Sequence, residues 1–351
     1  MKFEQTAWKQ QGVEFIVKHI PGETRFGVLT PEQFASAADY GQIERIKAIR
    51  SGDINKIRSM DRIKSYDITK ESITQWEFTV PNNGFDVPVT AYCLSSAKQN
   101  VYKPAVLYYH GGGWCYGSRS VVENPCRLLA ECSGAIVFST EYRLAPENKY
   151  PTGINDCYEV LKYVYNHAEE MGIDKTRIIV GGDSAGGNIA AVLSHRDRND
   201  KTGMIRMQAL LYPAVSVGDP EGMPDYHFSL GDYTFDDIQQ NQIIGAIKGL
   251  KNACATSIKN YVNEEEMAKS AEVSPIYDTD FNGLPKTVIV CAEYDFLTQQ
   301  CKCYARKLAE SQVPVRFITY RGMTHAFIDK CGIFPQSEDC IREIANAILE
   351  L

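Results

Sequence analysis

The stretch Ile178-Ile179-Val180-Gly181-Gly182-Asp183-Ser184-Ala185-Gly186-Gly187-Asn188 decides the fold. Ile178–Gly181 is an apolar, strand-sized run, and Asn188–His195 beyond it is helix-like. Between them sits the pentad Gly182-Asp183-Ser184-Ala185-Gly186. A GxSxG pentad alone is weak evidence, but one placed between a strand and a helix is strong. A sharp strand-to-helix turn leaves no room for side chains beside the serine, hence the flanking glycines. It lifts the Ser184 hydroxyl out at the carboxyl end of a sheet. The helix N-terminus behind it favours developing negative charge. Ser184 is therefore a candidate nucleophile. The plainer alternative, a glycine-rich turn with a capping serine, loses ground as the neighbouring motifs accumulate.

Outward from this turn the chain alternates. Compact apolar runs at Ala105–Tyr109, Ala135–Ser139, Met207–Leu211, Thr287–Ala292 and Val315–Tyr320 are each followed by a helix-like segment. The helical stretches are Val121–Cys132, Gly153–Met171, Thr298–Ser311 and Ser337–Leu351. Strands buried on both faces that alternate with helices predict an α/β fold with a mainly parallel central sheet flanked by helices. Thr74–Val80 and Val87–Leu94 alternate in polarity around Pro81-Asn82-Asn83-Gly84, which is a hairpin signal.

Two regions differ. Thr30-Pro31-Glu32-Gln33 reads as a capping box with proline at the first helical position, and helical patterns run from there to about Lys64. No strand signal is strong before Ile73, so residues 1–70 are expected to form an N-terminal helical cap region, with the main domain at 71–351. Residues 213–273 carry no clear core strand but have helix-like pieces at Thr234–Leu250 and Ser257–Lys269. A structureless loop of that length is improbable, so a helical cap insertion is expected there.

A second motif, His110-Gly111-Gly112-Gly113-Trp114, directly follows the strand Ala105–Tyr109. Glycines let backbone N–H groups approach a substrate, as an oxyanion hole requires. The expected donors are the amides of Gly112, Gly113 and Ala185. A phosphate-binding loop is the alternative, but neither GxGxxG nor a Walker lysine accompanies these glycines.

With these motifs on the page, the chain resembles the hormone-sensitive lipase family of α/β-hydrolases over roughly residues 106–327. The resemblance rests on HGGGW (110–114), Glu141-Tyr142-Arg143-Leu144-Ala145-Pro146-Glu147, GDSAGGN (182–188), Ser274-Pro275, Ala292-Glu293-Tyr294-Asp295 and Gly322-Met323-Thr324-His325. It implies an α/β-hydrolase fold with a helical cap and a serine carboxylesterase acting on short-chain acyl esters. An amidase or formamidase with the same triad stays open. So does a non-catalytic small-ligand receptor, although receptors of this kind lose the histidine. The resemblance also suggests homodimers through Val315–Tyr320 and Ser337–Leu351.

A triad needs a carboxylate at the end of a late strand. Asp295 follows Thr287–Ala292 and matches the family's acid position; Glu293 is a rival one residue past the strand. The family's Asp-Pro-Leu is here Asp295-Phe296-Leu297. Among the six histidines, only His325 lies just past the last strand, in a loop opened by Gly322. The order Ser184, Asp295, His325 is the one this fold requires. His110, Gly111, Asp183 and Glu141 are read as supporting residues, with Glu141 and Arg143 as a charged pair near the oxyanion loop.

The chain's 351 residues carry 37 basic and 44 acidic side chains, a net charge of −7, without a basic cluster interleaved with aromatics. That balance speaks against nucleic-acid binding. The N-terminus lacks the apolar stretch of a signal peptide, and no run approaches a membrane span, so a cytoplasmic protein with no membrane partner is expected. The 11 cysteines are an odd number, which suits free, packed thiols in a reducing compartment. The expected partner is a small-molecule ester. No metal or organic cofactor is implied.

Overall fold

The computed structural model describes residues 3–37, 44, 47–48, 51–60, 64–97 and 101–351. Its centre is a 10-stranded sheet in the order β1-β2-β10-β9-β8-β7-β5-β6-β4-β3. The strands are β1 (Gln5–Gln10), β2 (Val13–Lys18), β3 (Ile73–Asn82), β4 (Phe85–Leu94), β5 (Lys103–Tyr109), β6 (Ile136–Thr140), β7 (Ile173–Asp183), β8 (Met207–Leu211), β9 (Lys286–Tyr294) and β10 (Val315–Thr324). Pairing is parallel from β2 through β10, β9, β8, β7 and β5 to β6. It is antiparallel in the two outer hairpins and where β4 meets β6.

Alternate residues of β5 divide between two apolar clusters. Ala105, Leu107 and Tyr109 enter one; Val106 and Tyr108 enter the other. A strand buried on both faces requires helices on both sides. The helices Glu123–Ser133 and Pro335–Leu349 cover one face through Leu128 and Ile341. Those at Thr152–Asn166, Ala185–Asp200 and Thr298–Glu310 cover the other through Leu161, Ile189 and Tyr304. Among the described residues no helix is long and apolar enough to cross a membrane.

The N-terminal segment corrects the sequence reading. Residues 5–18 are a β-hairpin rather than helix, and they join the main sheet. Their turn is Gln11-Gly12, both with positive φ (49° and 80°), which suits a two-residue hairpin loop. Asn83-Gly84 closes the expected β3–β4 hairpin in the same way (49° and 80°). Within the hairpin Trp8 stacks on Phe15, which packs in turn on Phe317 of β10. Half of the capping box forms: Thr30 Oγ1 accepts from the Gln33 N–H at 3.1 Å, at the head of the helix Pro31–Ala37, while the Thr30 N–H donates to Gly322 O at 3.0 Å instead of to the Gln33 side chain. Part of the expected helical run to Lys64 lies outside the described residues; Ile54–Ser59 is helical.

Two further expectations change. The two helical pieces foreseen around 234–269 are instead one unbroken helix, Gln240–Tyr261, of 22 residues, with a short 3₁₀ turn at Glu265–Lys269. And β10 is not an edge. It pairs with β9 on one side and, from Val315 to Tyr320, with β2 on the other. A dimer built by joining two copies of Val315–Tyr320 edge to edge has no unpaired backbone to use.

Candidate active site

Four loops meet at the carboxyl ends of the parallel strands, where open α/β sheets place their ligand sites. They follow β5, β7, β9 and β10, and they carry the glycine motif, Ser184, Asp295 and His325 respectively.

Ser184 links β7 to the helix Ala185–Asp200 with φ 55° and ψ −114°. A side-chain-bearing residue held there is strained by about 1–3 kcal/mol and persists only if its surroundings enforce it. They do. The Ser184 N–H donates to Leu211 O at 2.9 Å, and its carbonyl accepts from Asn188 N at 3.0 Å and Ala214 N at 3.2 Å. A Cβ on Gly186 would lie 1.9 Å from Tyr109 O, so only glycine lets the helix start this close to β5.

His325 Nε2 accepts from Ser184 Oγ at 2.8 Å, and its Nδ1 donates to Asp295 Oδ2 at 2.7 Å. Asp295 is fully buried, and its other oxygen accepts the Leu297 N–H at 2.7 Å. Donation from Nδ1 to a carboxylate fixes the tautomer that leaves Nε2 free to take a proton. Burial disfavours the charged imidazolium, but the Asp295 carboxylate, with Asp183 behind it, outweighs burial and raises the His325 pKa above the ordinary value.

The glycine turn is shaped by close contacts. Gly112 has φ 119°, and a Cβ there would lie 1.9 Å from Tyr116 O. Its carbonyl accepts from Cys115 N at 3.1 Å and Tyr116 N at 3.0 Å, which curls the turn back on itself. The N–H groups of Gly112, Gly113 and Ala185 donate no hydrogen bond to another described residue. Gly111 N–H donates to Asp183 Oδ1 at 3.0 Å, and Tyr108 OH reaches the same oxygen at 3.3 Å. Burial pushes the Asp183 carboxyl up to about 6 despite these bonds. His110 is buried and stacked on Tyr142, with ring centroids 4.4 Å apart. Its Nδ1 lies 2.7 Å from Gly111 O, and Tyr142 OH donates to the His110 carbonyl at 2.7 Å. Burial lowers its pKa, so His110 is a neutral strut of the turn.

The expected Glu141–Arg143 pair does not form. Glu141 Oε2 accepts instead from the Arg119 backbone N–H and Nε, both at 3.0 Å, which ties down the segment following the glycine turn. Arg143 pairs with the buried carboxylate of Asp156 at 2.7 Å. Glu293, the rival acid, accepts the Gly322 N–H at 2.7 Å and so braces the His325 loop from outside the triad. Sequence reading also missed Arg58. Its guanidinium donates to Cys115 O at 2.8 Å, to Ala145 O at 2.9 Å and to both Glu147 oxygens at 2.8 and 3.0 Å. No sequence signal marks an arginine that meets its partners only in the folded chain. Cys115 is buried, and desolvation pushes its thiol up to about 12, so it is packed and unreactive.

Ser184 and His325 open into a cavity of about 550 Å³. Its floor includes Gly112, Gly113 and Ala185; one wall is a face of the helix Gln240–Tyr261. Trp114, after the glycines, stacks on Tyr261 at the end of that helix with centroids 4.4 Å apart. Backbone N–H groups and a hydrogen-bonded Ser–His–Asp relay lining one cavity are what acyl transfer needs.

Comparisons with known proteins give the family. A family model described as the alpha/beta hydrolase fold matches residues 106–329. The carboxylesterase NlhH of Mycobacterium tuberculosis is 32% identical over 265 residues, 75% of this chain and 78% of that protein. The arylesterase of Saccharolobus solfataricus is 30% identical over 244 residues, covering 70% and 74%. The solved esterase of Pyrobaculum calidifontis superposes with a TM-score of 0.70 at 28% identity, covering 91% of this chain and 98% of that one. By fold, motifs and relatives, the chain belongs to the hormone-sensitive lipase-like family of α/β-hydrolases.

Proposed function

We propose that the protein is a serine carboxylic-ester hydrolase in which Ser184 is the nucleophile, His325 the base and Asp295 the acid that orients it. The observation that carries this reading is the continuous relay Ser184–His325–Asp295, at 2.8 and 2.7 Å, opening into the cavity. His325 takes the Ser184 proton as Oγ attacks the ester carbonyl. The amides of Gly112, Gly113 and Ala185 hold the resulting oxyanion, each worth about 3–4 kcal/mol of barrier. His325 then protonates the leaving alcohol, and a water activated by the same nitrogen releases the acid. The helix Gln240–Tyr261 and the N-terminal helices act as the cap. An intact relay argues against a non-catalytic receptor. The 11 thiols, all free, suit a reducing compartment such as the cytoplasm.

The test is hydrolysis of p-nitrophenyl esters from acetate to palmitate. The short members are expected to turn over, and Ser184→Ala and His325→Ala each to lose at least about 10⁴-fold in kcat. Full activity in Ser184→Ala, or no activity at any chain length in the parent, overturns the reading.

A further inference from the structure

We infer that Tyr212 is a positioning residue that fixes the tilt of the His325 ring and its place beside Ser184. This rests on the esterase reading above and goes beyond it. Tyr212 directly follows β8 and is fully buried, yet its φ is 35°, in the left-handed region. Such a backbone is strained for a bulky side chain and persists only where the surroundings enforce it. Here the chain makes a tight turn, residues 211–214, that reaches both the nucleophile and the base. Leu211 O accepts the Ser184 N–H at 2.9 Å, and the Ala214 N–H donates to Ser184 O at 3.2 Å. The turn is itself pinned. Tyr212 N–H donates to Val290 O of β9 at 2.5 Å, Asn188 Nδ2 donates to Ala214 O at 2.8 Å, and Cys301 Sγ donates to Pro213 O at 3.3 Å.

From this turn the Tyr212 side chain extends to the base. Its ring packs on the His325 imidazole with centroids 4.8 Å apart and planes at 63°, and on Phe327 at 5.4 Å and 60°. Its hydroxyl accepts the Ile328 N–H at 3.3 Å. Ile328 lies in the 3₁₀ turn Phe327–Lys330, whose leading N–H groups need partners from outside the helix, and Ala326 ahead of it makes no side-chain cap bond. The relay alone leaves the imidazole one freedom. Asp295 holds Nδ1 and Ser184 holds Nε2, so the ring can still roll about the line through its two nitrogens. Packing by Tyr212 checks that roll, and its hydroxyl secures the turn that follows the base. One short turn thus grips the Ser184 backbone and the His325 side chain together. A reacting group displaced by about 1 Å can cost about 100-fold in rate, so such a brace bears directly on the chemical step.

The full-length protein, Tyr212→Phe and Tyr212→Leu are compared on p-nitrophenyl acetate, with thermal melting to confirm folding at the assay temperature. Tyr158 supplies the control: it is buried in the helix Thr152–Asn166, with its hydroxyl 2.8 Å from Asp200 Oδ2. Tyr158→Leu should lower the melting temperature and leave kcat unchanged. Tyr212→Leu should lose about 100-fold in kcat with KM held within about twofold. Tyr212→Phe keeps the ring and loses the hydroxyl, so it should recover most of that loss and stay about 3–10-fold below the parent. Proton NMR gives a second readout: the low-field resonance of the His325 Nδ1 proton should broaden in Tyr212→Leu and not in Tyr158→Leu. The inference is overturned by a folded Tyr212→Leu or Tyr212→Phe with the parent's kcat, by a loss carried in KM, or by an equal loss of kcat in Tyr158→Leu. Should Tyr212→Leu not fold, Tyr212→Phe decides by the same criterion. A parent inactive on every ester instead sinks the esterase reading itself, and the two failures are told apart by that measurement.

Discussion

At the scale of single residues, Ser184 is held at φ 55° by its neighbours, and the charge state of the site is set by two aspartates. A base must be neutral to accept a proton, so activity is lost as pH falls through the His325 pKa. That pKa is raised, so the acid limb of kcat/KM is expected above the ordinary histidine value of about 6.5. Asp183 contributes to the rise by its negative charge. Asp183→Asn keeps an oxygen for Gly111 N–H and Tyr108 OH but removes that charge, so the limb should move to lower pH; a pH–rate profile that stays put counts against it. The same substitution has a stability readout. The folded carboxyl titrates at about 6 and an unfolded one near 4, so the native state holds a proton the unfolded state gives up. Stability should fall as pH rises through that window in the parent, and denaturant titrations of Asp183→Asn should lose that slope. The proposed catalytic residues were legible because each sits within a few positions of a strand end and inside a local motif. Their supports were legible only in part, as His110, Gly111, Asp183 and Glu141. Arg119 and Glu293 act through tertiary contacts, and the sequence offered the neighbouring Arg143 as the natural partner for Glu141 when the fold sent it to Asp156.

At the scale of elements, strands buried on both faces announced themselves as continuous apolar runs, which is why β5 through β10 were read within a few residues. β1 has no such signal: all of Gln5–Gln10 is exposed, so no hydrophobic period is imposed on it. In β2, buried Lys18 is satisfied by Asp339 and Glu343 of the helix Pro335–Leu349, a partner no local window reveals. The long helix Gln240–Tyr261 buries only Ile243, Ile247 and Tyr261, so its middle gave too weak a period to bridge the two halves. Small elements matter here through single anchors. The helix Ile54–Ser59 reaches the glycine turn by Arg58, whose bonds to Cys115 O and Ala145 O hold the turn from behind. Arg58→Ala is expected to cost about 1–2 kcal/mol in denaturant unfolding and to lower kcat more than it raises KM, because it loosens oxyanion donors rather than the cleft. Arg58→Lys, which keeps the charge but not the fork, should recover only part. An unchanged kcat in Arg58→Ala would remove the helix from any part in positioning.

At the scale of the whole molecule, the hairpin at residues 5–18 closes the sheet from the far end of the sequence. Glu14 of β2 and Arg316 of β10 are hydrogen-bonded at 3.0 Å across 302 positions of chain. That separation governs the order of assembly. Local contacts form before distant ones because closing a long loop costs entropy that only the finished contact returns. At about 5–20 residues per second, translation delivers β10 some 15–60 s after β2 leaves the ribosome. Throughout that interval Val13, Phe15 and Ile16 have no sheet to join. In pulsed hydrogen exchange during refolding, the β2 amides should gain protection only in the last kinetic phase, after those of β5 and β7; joint protection in the first phase would contradict this. The hairpin, made well before β10, thus waits for its place in the sheet, and until β10 emerges the β2 edge that β10 will cover is open to another partner.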